Sequence, residues 1–109
     1  MAYDEGLAQR IRELLEDREE VEEKRMFGGV AWMVRGNLAC GVHKESMIVR
    51  VGPDGYAAAL EKPHVSVFDI TGKPMKGWVM VAADGYESDT DLKDWVDRGV
   101  TFAFSLPAK

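Results

Sequence analysis

The chain has 109 residues, 46% of them apolar and 30% charged, with 14 Lys and Arg against 19 Asp and Glu for a net charge of −5. That apolar content excludes a disordered chain, and the length admits one hydrophobic core, since a domain needs roughly 50 or more residues to bury enough surface against chain entropy. A single α+β domain over residues 1–109 is the reading. The longest uncharged apolar run, Met26 to Val34, is nine residues, far short of the ~20 that span a bilayer. The acidic start Met1-Ala2-Tyr3-Asp4-Glu5 is unlike a secretory leader, so a cytoplasmic protein without membrane contact is expected. One cysteine, Cys40, leaves no internal disulfide and no zinc site built from several thiolates.

Charge is unevenly placed. Residues 1–23 sum to −6, residues 24–76 to +4 and residues 77–109 to −3. Nucleic-acid affinity comes from neutralising phosphates, and both ends of this chain would repel them. Direct DNA binding is therefore not expected, while the positive middle leaves room for a local anion site.

Tyr3, Leu7, Ile11, Leu14 and Leu15 carry the stripe of an amphipathic helix from Asp4 to Arg18, with Asp4 placed to cap it. The acidic residues from Glu16 to Glu23 read as a solvated helix end and loop. From about Lys24 to Val51 the period is two, with Gly36-Asn37 and Lys44-Glu45 as turns, which predicts a three-stranded antiparallel meander. Gly52-Pro53-Asp54 opens a short helix with Pro53 at its first position and Tyr56, Ala59 and Leu60 on its buried side, ended by Pro63. Val65 to Ile70 and Met75 to Ala83 read as a hairpin around Thr71-Gly72-Lys73-Pro74. Ser88 then heads a final helix in which Leu92, Trp95, Val96 and Gly99 share a face, with Phe102 and Phe104 continuing its apolar character. The predicted order is helix, three-stranded meander, helix, β-hairpin, helix.

The two guessed turns fix a register. One face would hold Ala31, Met33, Leu38, Cys40, Val42, Met47, Val49 and Val51, packed on the helices, with Cys40 as a small buried hydrophobe. The other would hold Val30, Trp32, Val34, Ala39, Gly41, His43, Ile48 and Arg50, with Trp32 laid over Gly41. That second face is too apolar for a freely solvated surface, so Val30, Trp32, Val34, His43 and Ile48 are candidate interface residues for a second copy or a partner protein.

Little in the chain points to catalysis. Cys40 and His43, three apart on a strand, fall on opposite faces and cannot form a nucleophile–base pair. His64 adds no metal-ligand spacing, the paired carboxylates are explained by capping and solvation, and no nucleophile elbow, P-loop or H-E-x-x-H occurs. Gly28-Gly29 marks a bulge or a close approach of another backbone or ligand. Lys24, Arg25, Arg50 and Lys76, with the Gly28 and Gly29 amides, could hold a small anion; as the alternative, Arg50 and Lys76 are solvated cations packed along their stems.

Taken together, Glu23-Lys24-Arg25-Met26-Phe27-Gly28-Gly29 with Val30-Ala31-Trp32, then Gly36-Asn37-Leu38 and Cys40-Gly41-Val42, Arg50-Val51, and Pro74-Met75-Lys76-Gly77-Trp78 resemble the N-terminal domain of the TfoX (Sxy) family. The resemblance covers nearly the whole chain. It implies an α+β domain of the secretion-chaperone-like type, a link to regulation of natural competence genes, and a second, C-terminal domain for which 109 residues leave no room. It carries over no catalytic residue and no cofactor. Met26, Phe27, Gly28, Gly29, Met75, Lys76 and Gly77, which match its motifs, are with Arg50 the candidate binding residues. The expectation is a non-catalytic regulatory module that works by protein contact as a homodimer or with a partner, and the alternatives are a small-anion binder or enzyme and a direct DNA regulator.

Overall fold

The computed structural model describes residues 3–26, 28–69 and 76–108, without the Met26 side chain. Its elements are α1 (Glu5–Leu15), β1 (Val21–Met26), β2 (Gly29–Val34), β3 (Asn37–His43), β4 (Ser46–Arg50), α2 (Pro53–Leu60), β5 (Val65–Val67), β6 (Trp78–Val81), α3 (Ala83–Tyr86) and α4 (Asp89–Ser105). The strands form one antiparallel sheet in the order β1-β2-β3-β4-β6-β5. The α+β class and the order of the main elements follow the sequence reading.

The helices begin where the cap residues stand. The Asp4 carboxylate accepts from the Leu7 amide at 3.0 Å and the Ser88 hydroxyl from the Asp91 amide at 3.0 Å, each satisfying a donor that a helix start leaves open. Pro53 occupies the first turn of α2, which ends at Leu60, before Pro63. α1 likewise stops at Leu15 and not at Arg18. Two elements go beyond the sequence reading: the short α3, and a separate β1, which takes Val21 to Glu23 from the acidic stretch expected to be loop and Lys24 to Met26 from the start of the expected first strand, and makes the meander four-stranded. β5 and β6 pair as expected, Val65 against Val81 and Val67 against Val79; the turn read at Thr71 to Pro74 lies outside the described residues.

Register decides what the sheet buries. The Lys44-Glu45 turn holds, setting Cys40 opposite Val49 and Val42 opposite Met47. The preceding turn is Arg35-Gly36, not Gly36-Asn37, because Val34 pairs with Asn37. Both turn residues have positive φ, 51° and 87°, as the tight hairpin turn of type I′ requires. Asn37 instead begins β3, buried, its amide donating to the Pro107 carbonyl at 2.9 Å. A bulge then leaves Ala39 unmatched between Trp32–Cys40 and Met33–Leu38.

A one-residue slip exchanges the faces of a strand, and β2 is reversed accordingly. Val30, Trp32 and Val34 join Ala39, Cys40, Val42, Met47, Val49, Val79 and Val81 in the core under the helices. Ala31, Met33, Leu38 and Ile48 belong to the opposite face. Trp32, only 2% exposed, faces Cys40 rather than Gly41. α1 supplies Leu7, Ala8, Ile11 and Leu15 to this core, and α4 supplies Leu92, Trp95, Val96, Val100 and Ala103. α4 crosses β3 at Gly99, where a Cβ would run into the Ala39 carbonyl.

Trp32→Ala should therefore cost about 3–5 kcal/mol of unfolding free energy by urea titration. A loss below about 1 kcal/mol, the usual ceiling for a surface change, would contradict this placement.

Candidate functional site

Arg50 ends β4 directly opposite Trp78 of β6. Its guanidinium carbon lies 5.2 Å from the Trp78 ring centroid and 5.4 Å from that of Phe102 on α4. Both separations lie within the ~6 Å range of cation–π attraction. Trp78 is backed by Phe68, stacked at 5.8 Å. The backbone closes the arrangement, since the Val51 and Gly52 amides both donate to the Gly77 carbonyl, at 2.8 and 3.0 Å. Gly52 and Gly77 have φ of 83° and 93°, a region that favours glycine. At Gly52 a Cβ would strike the Phe102 ring, so this glycine lets Phe102 sit beside Arg50. Lys76, one residue before Gly77, is exposed. Among the described residues neither the Arg50 nor the Lys76 side chain has an acidic partner.

The other candidate residues lie elsewhere. Gly28 is exposed at the turn into β2, with φ of 75°, and at Gly29 a Cβ would meet the Val42 carbonyl. The close backbone approach expected there is real, and its partner is β3. This end of the sheet adjoins Val42 and His43, whereas Arg50 closes the far end of β4. Four residues of strand, about 13 Å, separate the two ends, so Gly28 and Gly29 do not converge with Arg50, Lys76 and Gly77. Phe27, Met75 and the Met26 side chain lie outside the described residues. Of the candidate interface residues, Val30, Trp32 and Val34 are in the core, Ile48 is fully buried on the opposite face, and His43 is half-buried.

Cys40 is fully buried, and burial alone pushes its thiol up to about 12, because the thiolate would lose its hydration. It faces the core while His43 belongs to the other side of β3, so no dyad forms. Among the described residues no three His, Cys, Asp or Glu side chains gather to hold a metal.

Several polar groups that sequence reasoning missed fasten the structure. Arg35 lies over the Phe104 ring at 4.7 Å and donates to the Leu106 carbonyl at 3.2 Å. Tyr86 donates its hydroxyl to the Glu45 carbonyl at 2.6 Å, tying α3 to the β3–β4 turn. Arg12 of α1 grips Glu23 of β1 through two bonds of 2.7 and 3.0 Å, which hold the Glu23 carboxyl below the usual range. Their partners are tens of residues away or, for Glu23, on an unrecognised strand. For Phe102 the one local signal was its apolar character on the last helix.

Residues 13–103 match the family model of the TfoX N-terminal domain. No curated protein matches the chain.

Below about pH 9, the unshifted thiol value, Cys40 is neutral whether folded or unfolded and adds no pH dependence. As pH rises from 9 towards 12 only the unfolded thiol ionises, so stability falls by up to about 1.4 kcal/mol per unit. Denaturation series on wild type and Cys40→Ala should diverge with this sign over that window. The folded thiol should also resist a thiol reagent at pH 8, and prompt modification there would contradict its burial.

Proposed function

The chain belongs to the TfoX N-terminal domain family, and from that premise we propose that it is a cytoplasmic, non-catalytic regulatory module, tied to competence control, that acts by protein contact. The partner we infer first is a second copy, docked through the edge of β1.

The observation that carries this reading is the order of charges on that edge. β1 is a sheet margin, and its residues 22–25 are exposed. An exposed edge offers unpaired backbone groups to another strand, and edges of one charge sign prevent such pairing. Here two acids precede two bases, Glu22-Glu23 then Lys24-Arg25. A copy related by a two-fold axis perpendicular to the sheet runs antiparallel and keeps side chains on matching faces, so each residue meets one of its own parity. With the axis at Glu23, Glu22 faces Lys24 of the copy and Lys24 faces Glu22, the reciprocity of an isologous contact. The two Glu23 carboxylates would meet at the centre, but each is already gripped by its own Arg12. With the axis at Lys24 the lysines would meet instead, and Arg25 would compete with Arg12 for Glu23.

The placement of Cys40 and His43 also favours contact over chemistry. The residues read as an open apolar face contribute nothing to this surface, since three of them fill the core.

Native mass spectrometry should give twice 12.1 kDa for wild type and the monomer mass for Lys24→Glu, which turns both reciprocal pairs into repulsions. The double exchange Glu22→Lys with Lys24→Glu should restore the dimer. A monomeric wild type, or a dimer indifferent to Lys24→Glu, would overturn the reading.

A further inference from the structure

We propose that Arg50, its guanidinium set against the Trp78 and Phe102 rings, anchors a binding site for a small phosphate-bearing molecule, with Lys76 as the second cation. This is independent of the β1 edge and of any dimer.

Five arginines of the described chain are half-buried: Arg10, Arg12, Arg35, Arg50 and Arg98. Four have an acidic partner, in Asp89, Glu23, Glu20 and Asp94 respectively. Arg50 has two aromatic rings instead, in a protein with five more acids than bases. Aromatic faces fix the plane of a guanidinium without using its N–H donors. The planar fork is therefore ordered and left with its donors to give, which removes much of the entropy cost a mobile surface arginine pays on binding. The Trp78 ring is steadied by Phe68, and the Phe102 ring fits because Gly52 has no side chain to displace it.

The charge of the site selects the ligand. Hydrogen bonds from the Val51 and Gly52 amides to Gly77 bring the Lys76 segment against the end of β4, so two cations without an acidic partner among the described residues flank one crossing of the backbone. A phosphate monoester, near −2 at neutral pH, matches both and takes two parallel N–H bonds from the guanidinium. A carboxylate has the same two-oxygen edge but half the charge, and leaves Lys76 with nothing to hold. Among the described residues, Arg50, set against two rings and without an acidic partner, distinguishes this site from the glycines at the far end of the sheet, whose neighbouring cations Lys24 and Arg25 are exposed and held by no ring.

The test is a titration of the full chain with inorganic phosphate, and separately with acetate, at constant ionic strength, followed by NMR of the arginine Nε–Hε and tryptophan indole signals. Phosphate should shift the Arg50 and Trp78 signals saturably and acetate much less. Arg50→Gln should weaken binding by about tenfold or more, and Arg50→Lys, which keeps charge without the fork, should stay well below wild type. Lys76→Gln, at an exposed position that cannot disturb the core, should weaken phosphate several-fold and leave the weak acetate response unchanged. Non-saturating shifts, equal shifts in Arg50→Gln, or acetate binding as tightly as phosphate would each overturn the proposal. The mass of the protein plays no part in the readout, so its failure and that of the dimer are separable.

Discussion

Trp32 reaches the interior only because two backbone features act together on the β2–β3 hairpin. Arg35 and Gly36 close it with positive φ, and the extra residue at Ala39 then turns both Ala39 and Cys40 towards the helices. The near-continuous apolar face from Val30 through Val81 depends on that phase, as does the crossing of α4, whose Gly99 rests on the bulged carbonyl of Ala39. Moving the turn by one residue would expose Trp32 to the other side of the sheet and put Met33 beneath the helices. The cost of such an exchange is many core side chains at once, and burial on this scale holds the register.

Polar side chains reinforce the same geometry from outside the core. Asn37, whose position the turn determines, holds Pro107 with its amide, and Arg35 holds Leu106. The C-terminal end of α4 is thereby fastened to the hairpin that α4 covers. At the opposite end of the sheet Tyr86 fastens α3 to the β3–β4 turn, and Asp4 donates its amide to the Lys44 carbonyl at 2.7 Å. These bonds satisfy backbone carbonyls that loops would otherwise leave to solvent. Among the described residues Arg50 makes no such bond and, unlike the other four half-buried arginines, has no acidic partner.

Much of the fold was legible because the signals were local. The stripes of α1 and α4, the caps Asp4 and Ser88, Pro53 at the start of α2 and the Lys44-Glu45 turn all depend on neighbours in sequence. β1 was hidden because an edge strand with both faces in solvent, Glu22 to Arg25, has no apolar alternation to read. β2 was misphased for the converse reason: Val30, Ala31, Trp32 and Val34 are all buried, and a strand buried on both sides carries no pattern to choose between registers. Gly36-Asn37 looked like a turn pair, and what assigns Asn37 to the strand is a bond to Pro107, seventy residues away. The candidate site divides along the same line. Lys76 could be picked out as a base beside a glycine and Arg50 as a cation of the positive middle segment, but what brings their segments together is β6 lying next to β4. Phe102 joins them only through the path of α4.

The picture that results is a six-stranded sheet with one face committed to its helices and, along β1, an exposed margin whose charges are ordered so that an identical margin can lie against it. Hydrogen exchange of the β1 amides at increasing dilution tests this most directly. Protection of the outward-pointing amides among residues 21–26 that is lost as the protein is diluted, with β2 and β3 unchanged, is the expected result. Rapid exchange of those amides at every concentration would contradict the paired edge.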